Sequence, residues 1–292
     1  MSESVADGCI VQALIEALES ERGLDAPERL RERIEALDRL DALMGVEGAW
    51  AQRAQALQQR LEAANLLQFE AIRAAVRYGK GRVALQRWQL AGDADCRSGD
   101  AYDWRDELVS GVLRFGEPGE ASALAPEMVF YQPTPARHVF DLFDRLALTS
   151  DDVLVDLGSG LGHVPLLAAI CTPVRSIGVE IEPAYVAGAR DCAQALRLAN
   201  ARFVQGDARA TDFTVGSVFY LYTPFTGTIM RSVLDALRRE AGRRAFRVCG
   251  FGPCTAVLAG EAWLAAEDAT TVGRVAIFRT RRHADVKRDF TQ

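Results

Sequence analysis

The residues best placed to do chemistry are the acid and glycines of Val153-Leu154-Val155-Asp156-Leu157-Gly158-Ser159-Gly160-Leu161-Gly162-His163. An apolar strand, an acid, three alternate glycines and an apolar helix describe a loop that turns tightly and offers bare backbone to a nucleotide-like ligand. The helix opening near His163 aims its free N–H groups at that ligand, which suits a carboxylate or a phosphate. Ser159 lies within the loop. A second carboxylate, Glu180, ends the strand Ile177-Gly178-Val179-Glu180, where it can accept from both hydroxyls of a ribose. A third, Asp207, follows Phe203-Val204-Gln205-Gly206, where it can accept from an adenine amino group, with Ala208 beside it.

Acids at three successive strand ends favour a positively charged ligand. Asp156 would repel the pyrophosphate of a dinucleotide, whereas S-adenosylmethionine carries an ammonium and a sulfonium. S-adenosylmethionine, leaving as S-adenosylhomocysteine, is therefore the expected cofactor in preference to NAD, and no metal is expected.

These residues need a sheet to hold them. From about Val129 onward strands alternate with helices: strands at 153–155, 176–179, 201–207, 217–222 and 245–249, then two more at 262–267 and 274–280 joined by a turn near Gly273. That alternation predicts an α/β fold, a doubly wound Rossmann-like seven-stranded sheet with helices on both faces and an antiparallel edge hairpin. Residues 1–92 read as an all-helical domain. Asp7 and Asp25 are the expected helix caps, and the stripe Trp50, Ala54, Leu57, Leu61 and Ala64 belongs to one long helix. Residues 93–126, rich in turn signals, read as a linker or lid, and 127–292 as the ligand-binding domain.

The ordered motifs resemble those of class I S-adenosylmethionine-dependent methyltransferases over about residues 129–282. More narrowly they are similar to the non-SET lysine methyltransferases related to the disruptor of telomeric silencing. In that family a Tyr-x-x-Thr precedes the cofactor loop and contacts the cofactor, and Tyr131-Gln132-Pro133-Thr134 has that spacing. The resemblance carries over Asp156 to Gly162 as the cofactor loop, with His163 where the family has glutamine, Glu180 as the ribose acid and Asp207 as the adenine acid. It fails at the fourth strand, where the family's Asn-Asn-Phe is replaced by Tyr222-Thr223-Pro224-Phe225. The resemblance thus implies a methyl donor and leaves the acceptor open. A small molecule is slightly favoured, with a protein lysine and a non-catalytic cofactor-binding protein as alternatives. Tyr222 and Tyr131 are the candidate catalytic residues, and Pro224 and Phe225 the candidate acceptor wall.

The bulk numbers fit this reading. The chain has 292 residues, 49% of them hydrophobic, and a formal net charge of −6. That size suits two modest domains, and the acidic balance argues against a nucleic-acid partner. The basic run Arg279-Thr280-Arg281-Arg282-His283 with Lys287 and Arg288 is the local exception. Six dispersed cysteines without a Cys-x-x-Cys pair suggest reduced thiols and a cytoplasmic protein. No signal peptide or membrane span is expected. The long apolar stripes of the N-terminal helices suggest a homodimer.

Overall fold

The computed structural model describes residues 2–21, 23–42, 49–89, 99–116, 126–267 and 273–281. The chain folds as two compact units, Met1–Ala74 with Trp104–Val112, and Ala75–Asp103 with Leu113–Gln292.

The first unit is helical. It holds α1 (Ser2–Ser20), α2 (Leu30–Asp41), most of α3 (Ala49–Arg77) and most of α5 (Trp104–Leu113); α4 (Gly81–Gln89) falls in the second unit. Leu18, Leu24, Ala36, Leu40, Leu57 and Leu61 form its core cluster. Neither expected cap is used. α1 begins at Ser2, so Asp7 lies inside the helix. The second start opens as a 3-10 turn, Pro27–Arg29, with Ala26 at the N-cap, and Asp25 instead faces Arg60 at 3.4 Å.

Arg33 is fully buried in this unit. Its Nε donates to Asn65 Oδ1 at 2.6 Å, and one terminal nitrogen donates to the Leu24 and Ala26 carbonyls at 2.6 and 2.9 Å. The guanidinium ties the turn before α2 to α3. Truncation would strand two carbonyls and an amide in the interior, each costing about 1–3 kcal/mol if left dry. Part of that is offset by no longer burying a charge, so Arg33→Ala is expected to lose roughly 2 kcal/mol of stability. An unchanged urea midpoint would show that Arg33 does not hold the turn.

The second unit is the expected α/β fold. β1 (Val153–Leu157), β2 (Arg175–Glu180), β3 (Ala201–Gln205), β4 (Val218–Tyr222), β5 (Arg247–Phe251), β6 (Leu264–Ala266) and β7 (Ala276–Thr280) make one sheet in the order β3-β2-β1-β4-β5-β7-β6. Neighbours among β1 to β5 run parallel, and β7 inserts antiparallel between β5 and β6. The expected edge hairpin is therefore β6 and β7, with the later strand on the inside.

The helices are α6 (Ala136–Leu146), α7 (His163–Cys171), α8 (Pro183–Leu196), α9 (Gly227–Ala241) and α10 (Cys254–Ala259). The last of these has no counterpart in the sequence pattern, because six residues carry too little periodicity to register. Val155, Leu157, Phe219, Leu221 and Val248 pack in one cluster with Val233, Leu234, Leu237 and Leu258 from α9 and α10. Side chains alternate across a strand, so Asp156 and Tyr220, paired in register, share the opposite face.

The unit boundaries differ from the expected 1–92, 93–126 and 127–292. The segment Ala75–Asp103 groups with the sheet, where α4 lies on α7. Glycine at position 81 permits that approach, since a Cβ there would lie 2.6 Å from Ile170 Cγ2. The expected linker is likewise divided. Residues 99–103 lie on α6: the Tyr102 hydroxyl donates to Pro133 O at 2.9 Å, an Arg137 nitrogen to Gly99 O at 2.8 Å, and His138 Nε2 meets the same carbonyl at 2.8 Å. No described helix is long and apolar enough to cross a membrane. The basic run beyond Arg281 lies outside the described residues.

Candidate functional site

Strand order reverses between β1 and β4, and ligands of open α/β sheets bind beyond the carboxyl ends of strands at such a point. A cavity of about 780 Å³ opens there. All the sequence-derived candidates line it except Gly160 and Gly162: Tyr131, Thr134, Asp156, Gly158, Ser159, His163, Glu180, Asp207, Ala208 and Tyr222.

The two exceptions show what the glycines do. Gly158, Gly160 and Gly162 have φ of +81°, +54° and +83°. A Cβ on Gly158 would overlap Pro224, one on Gly160 the Tyr131 ring, and one on Gly162 the Phe203 ring. The space expected for ligand against bare backbone is, at these three glycines, occupied by the protein's own side chains. The glycines let Tyr131 and Pro224 close down on the loop.

Glu180 anchors the loop from the neighbouring strand. Its Oε2 accepts from the Gly160 N–H at 2.8 Å, and its Oε1 accepts from the Ile181 and Glu182 N–H groups at 2.8 and 2.9 Å. A carboxylate has about four acceptor sites. Oε1 is thus saturated and Oε2 has one site left, which allows one ribose hydroxyl where two were expected.

Asp156 is buried near the end of β1, with the Glu180 carboxylate as a charged neighbour. Burial, reinforced by repulsion from Glu180, pushes its carboxyl well above the usual range. The buried Ser159 hydroxyl beside it has no hydrogen-bond partner. A desolvated acid and an orphaned hydroxyl at one end of the cavity fit a ligand carrying an ammonium group. Asp207 is arranged otherwise than expected. It accepts from the Arg209 backbone at 2.8 Å and pairs with the Arg209 guanidinium at 2.6 Å, which holds its carboxyl below the ordinary value. A purine would meet an acid already satisfied by its neighbour two residues on.

Tyr131 and His163 form a contact that spacing did not suggest. The Tyr131 hydroxyl lies 2.8 Å from His163 Nδ1. Burial pushes the Tyr131 hydroxyl strongly up, so it stays protonated, and pushes His163 down to about 4. The imidazole is neutral at pH 7, and the tyrosine donates to it.

Thr134 meets a residue missed in the sequence. Its hydroxyl lies 2.7 Å from the hydroxyl of Tyr220, which is buried and lines the cavity. Strand alternation puts Tyr220 and Tyr222 on the face of Asp156, so the signal was available; apolar neighbours made Tyr220 read as core. Tyr222 is half-buried against the Phe251 ring at 4.7 Å. Burial, with Asp100 and Tyr102 nearby, pushes its hydroxyl up to about 12. Asp100 also lines the cavity, carried there by the segment pinned to α6. The turn signals of 93–126 marked its segment as a linker or lid without singling out Asp100 itself.

The turn after β4 is strained. Thr223 has φ +38°, unusual for a β-branched residue, and its hydroxyl is held between the Phe251 carbonyl and the Cys254 N–H at 3.1 and 3.0 Å. Pro224 and Phe225 line the cavity. The segment before Tyr131 pairs with them through the Met128–Phe225 bridge. Glu127 caps α9 by accepting from Thr228 and Ile229 N–H at 3.0 and 3.2 Å.

Residues 128–208, spanning Tyr131 to Ala208, match a family model described as histone methylation protein DOT1. Among solved structures, an RNA methyltransferase from Salinibacter ruber in complex with S-adenosylhomocysteine is 25% identical over 52% of this chain and 95% of that chain, with a TM-score of 0.42. A precorrin-6y methyltransferase from Geobacter metallireducens is 20% identical over 55% of this chain and 93% of that one, with a TM-score of 0.38. A methyltransferase from Thiobacillus denitrificans in complex with S-adenosylhomocysteine is 19% identical over 41% and 50%, with a TM-score of 0.34. No curated protein matches.

Proposed function

We propose that this chain is a class I S-adenosylmethionine-dependent methyltransferase whose acceptor is an amine nitrogen; the match of residues 128–208 to the histone methylation family model supports the first part. The donor supplies an electrophilic methyl group when bound; the chain's own residues align the partners and exclude water. Asp156 and Ser159 are the groups for the donor's ammonium, and Glu180 is the group for its ribose.

One observation carries the acceptor reading: Asp100 stands in the cavity wall near Tyr222 at the end of β4. An acid there draws in a cationic amine. The aromatic groups and His163 offer no base tuned to neutral pH, since Tyr222 is pushed up to about 12 and His163 down to about 4. The acceptor must therefore bring its own lone pair. An amine that sheds its proton to solvent does so: the N–C bond forms as the C–S bond breaks, and the methylated ammonium later releases its second proton. Tyr222 is placed to hydrogen-bond that nitrogen.

Whether the amine belongs to a lysine or to a small molecule is a further step. The lysine reading is supported by exposed apolar residues along the cavity, Phe130, Val129 and Ile181, which offer contact area to a macromolecule. It agrees with the description of the matching family model.

The test is transfer of labelled methyl from S-adenosylmethionine to a panel of small primary amines, lysine peptides, phenols and carboxylic acids. Amine selectivity is expected. Asp100→Asn should raise the KM for amines about tenfold while leaving donor affinity unchanged. Transfer confined to phenols or acids would overturn the reading. Donor binding with transfer to nothing would favour a non-catalytic protein.

A further inference from the structure

We infer that His163 is a positioning residue for the methyl donor, acting through the hydroxyl of Tyr131. The inference rests on the donor reading and adds a device to it.

The Tyr131 ring lies over Gly160, the loop residue whose N–H is fixed by Glu180, so closely that no Cβ fits beneath it. The Tyr185 ring packs against it at a tilt of 45°, with centroids 5.1 Å apart. Gly160 and Tyr185 confine the body of the ring and leave the position of its hydroxyl open. The hydrogen bond settles that position: the hydroxyl is held at 2.8 Å by Nδ1 of His163, the first residue of α7. The imidazole is fixed in turn by the Phe115 ring, centroids 4.8 Å apart. Tyr131, His163 and Tyr185 all line the donor cavity. The chain Phe115, His163, Tyr131, Gly160 therefore sets the shape of the cavity wall next to Asp156.

The direction of the hydrogen bond follows from chemistry. A buried phenol keeps its proton, so Nδ1 must accept and Nε2 carries the hydrogen. Asp156 faces the same tyrosine and repels its phenolate, which reinforces that assignment. No proton moves to the substrate. His163 works as a fixed acceptor, and any neutral acceptor of similar reach would serve. Leucine keeps the volume and loses the acceptor; asparagine keeps the acceptor, because its Oδ1 is bonded to Cγ as Nδ1 is.

The experiment is calorimetric titration of the full chain with S-adenosylmethionine and with S-adenosylhomocysteine, for the native protein, Tyr131→Phe, His163→Leu, the double variant and His163→Asn. Each single loss of the hydrogen bond should weaken binding about tenfold. The double variant should be no weaker than the worse single one, because the two residues act through one bond. His163→Asn should bind within about threefold of the native chain. Additive losses in the double variant, or native affinity in His163→Leu, would overturn the inference. Should His163→Leu fail to fold, His163→Phe replaces it, being a flat ring of similar size with no acceptor. A native chain that binds neither compound overturns the donor reading itself, which separates the two failures.

Discussion

Glu180→Ala is expected to weaken S-adenosylmethionine binding by at least about 100-fold, or roughly 2.7 kcal/mol. The residue serves two structures at once. Toward the ligand it offers the free site on Oε2. Toward the protein it holds the Gly160, Ile181 and Glu182 N–H groups at 2.8, 2.8 and 2.9 Å. Removing it takes away a ligand contact and releases the glycine loop from β2 in the same step. Three buried or half-buried donors lose their partner, so a drop in melting temperature should accompany the loss of affinity. Removing the Glu180 charge should also let the Asp156 carboxyl titrate lower, since that repulsion contributes to its upward shift. Calorimetry with S-adenosylmethionine and S-adenosylhomocysteine measures the first effect. Affinity within about threefold of native would sink the assignment of Glu180 to the donor.

Gly160→Ala should be the more damaging change to the fold of the site. Alanine at φ +54° costs about 1–2 kcal/mol from backbone conformation alone. Its methyl group would overlap the Tyr131 ring, adding about 1–3 kcal/mol of overpacking. The expected loss is about 3 kcal/mol, together with donor binding, because Tyr131 must leave the cavity wall. The double variant Gly160→Ala with Tyr131→Ala relieves the overlap. It should recover the packing part of the stability in urea unfolding while still failing to bind the donor. If Tyr131→Ala gives no relief, the glycine is required for its dihedral angle only.

How much of this was legible depended on how local each cause was. The strand β1 read clearly because a central parallel strand is buried on both faces and becomes an unbroken apolar run. The acids Asp156, Glu180 and Asp207 read clearly because each lies within two residues of a strand's carboxyl end. The helix caps did not. Asp7 and Asp25 are good capping residues, but α1 extends past the first and the Pro27 turn displaces the second by one position. Capping is worth about 1 kcal/mol, too little to override packing of the whole element. Tyr220 was hidden for a related reason. On a strand that looks wholly apolar, a tyrosine aimed at a ligand and one aimed at the core have the same neighbours in sequence.

The sequence by itself determined the seven-stranded sheet and pointed to the methyl donor. Those depend on periodicity and on residues at strand ends, which are fixed by a few neighbours along the chain. The tertiary structure decided which partners these residues keep. It filled the glycine cradle with Tyr131 and Pro224, gave Asp207 to Arg209, joined Tyr131 to His163 across 32 positions, and brought Asp100 from a distant turn to face Tyr222. Contacts between segments far apart in the chain are set by packing of whole elements, and no local pattern encodes them. That is why the donor could be read before the fold was known and the case for an amine acceptor rests on the folded cavity.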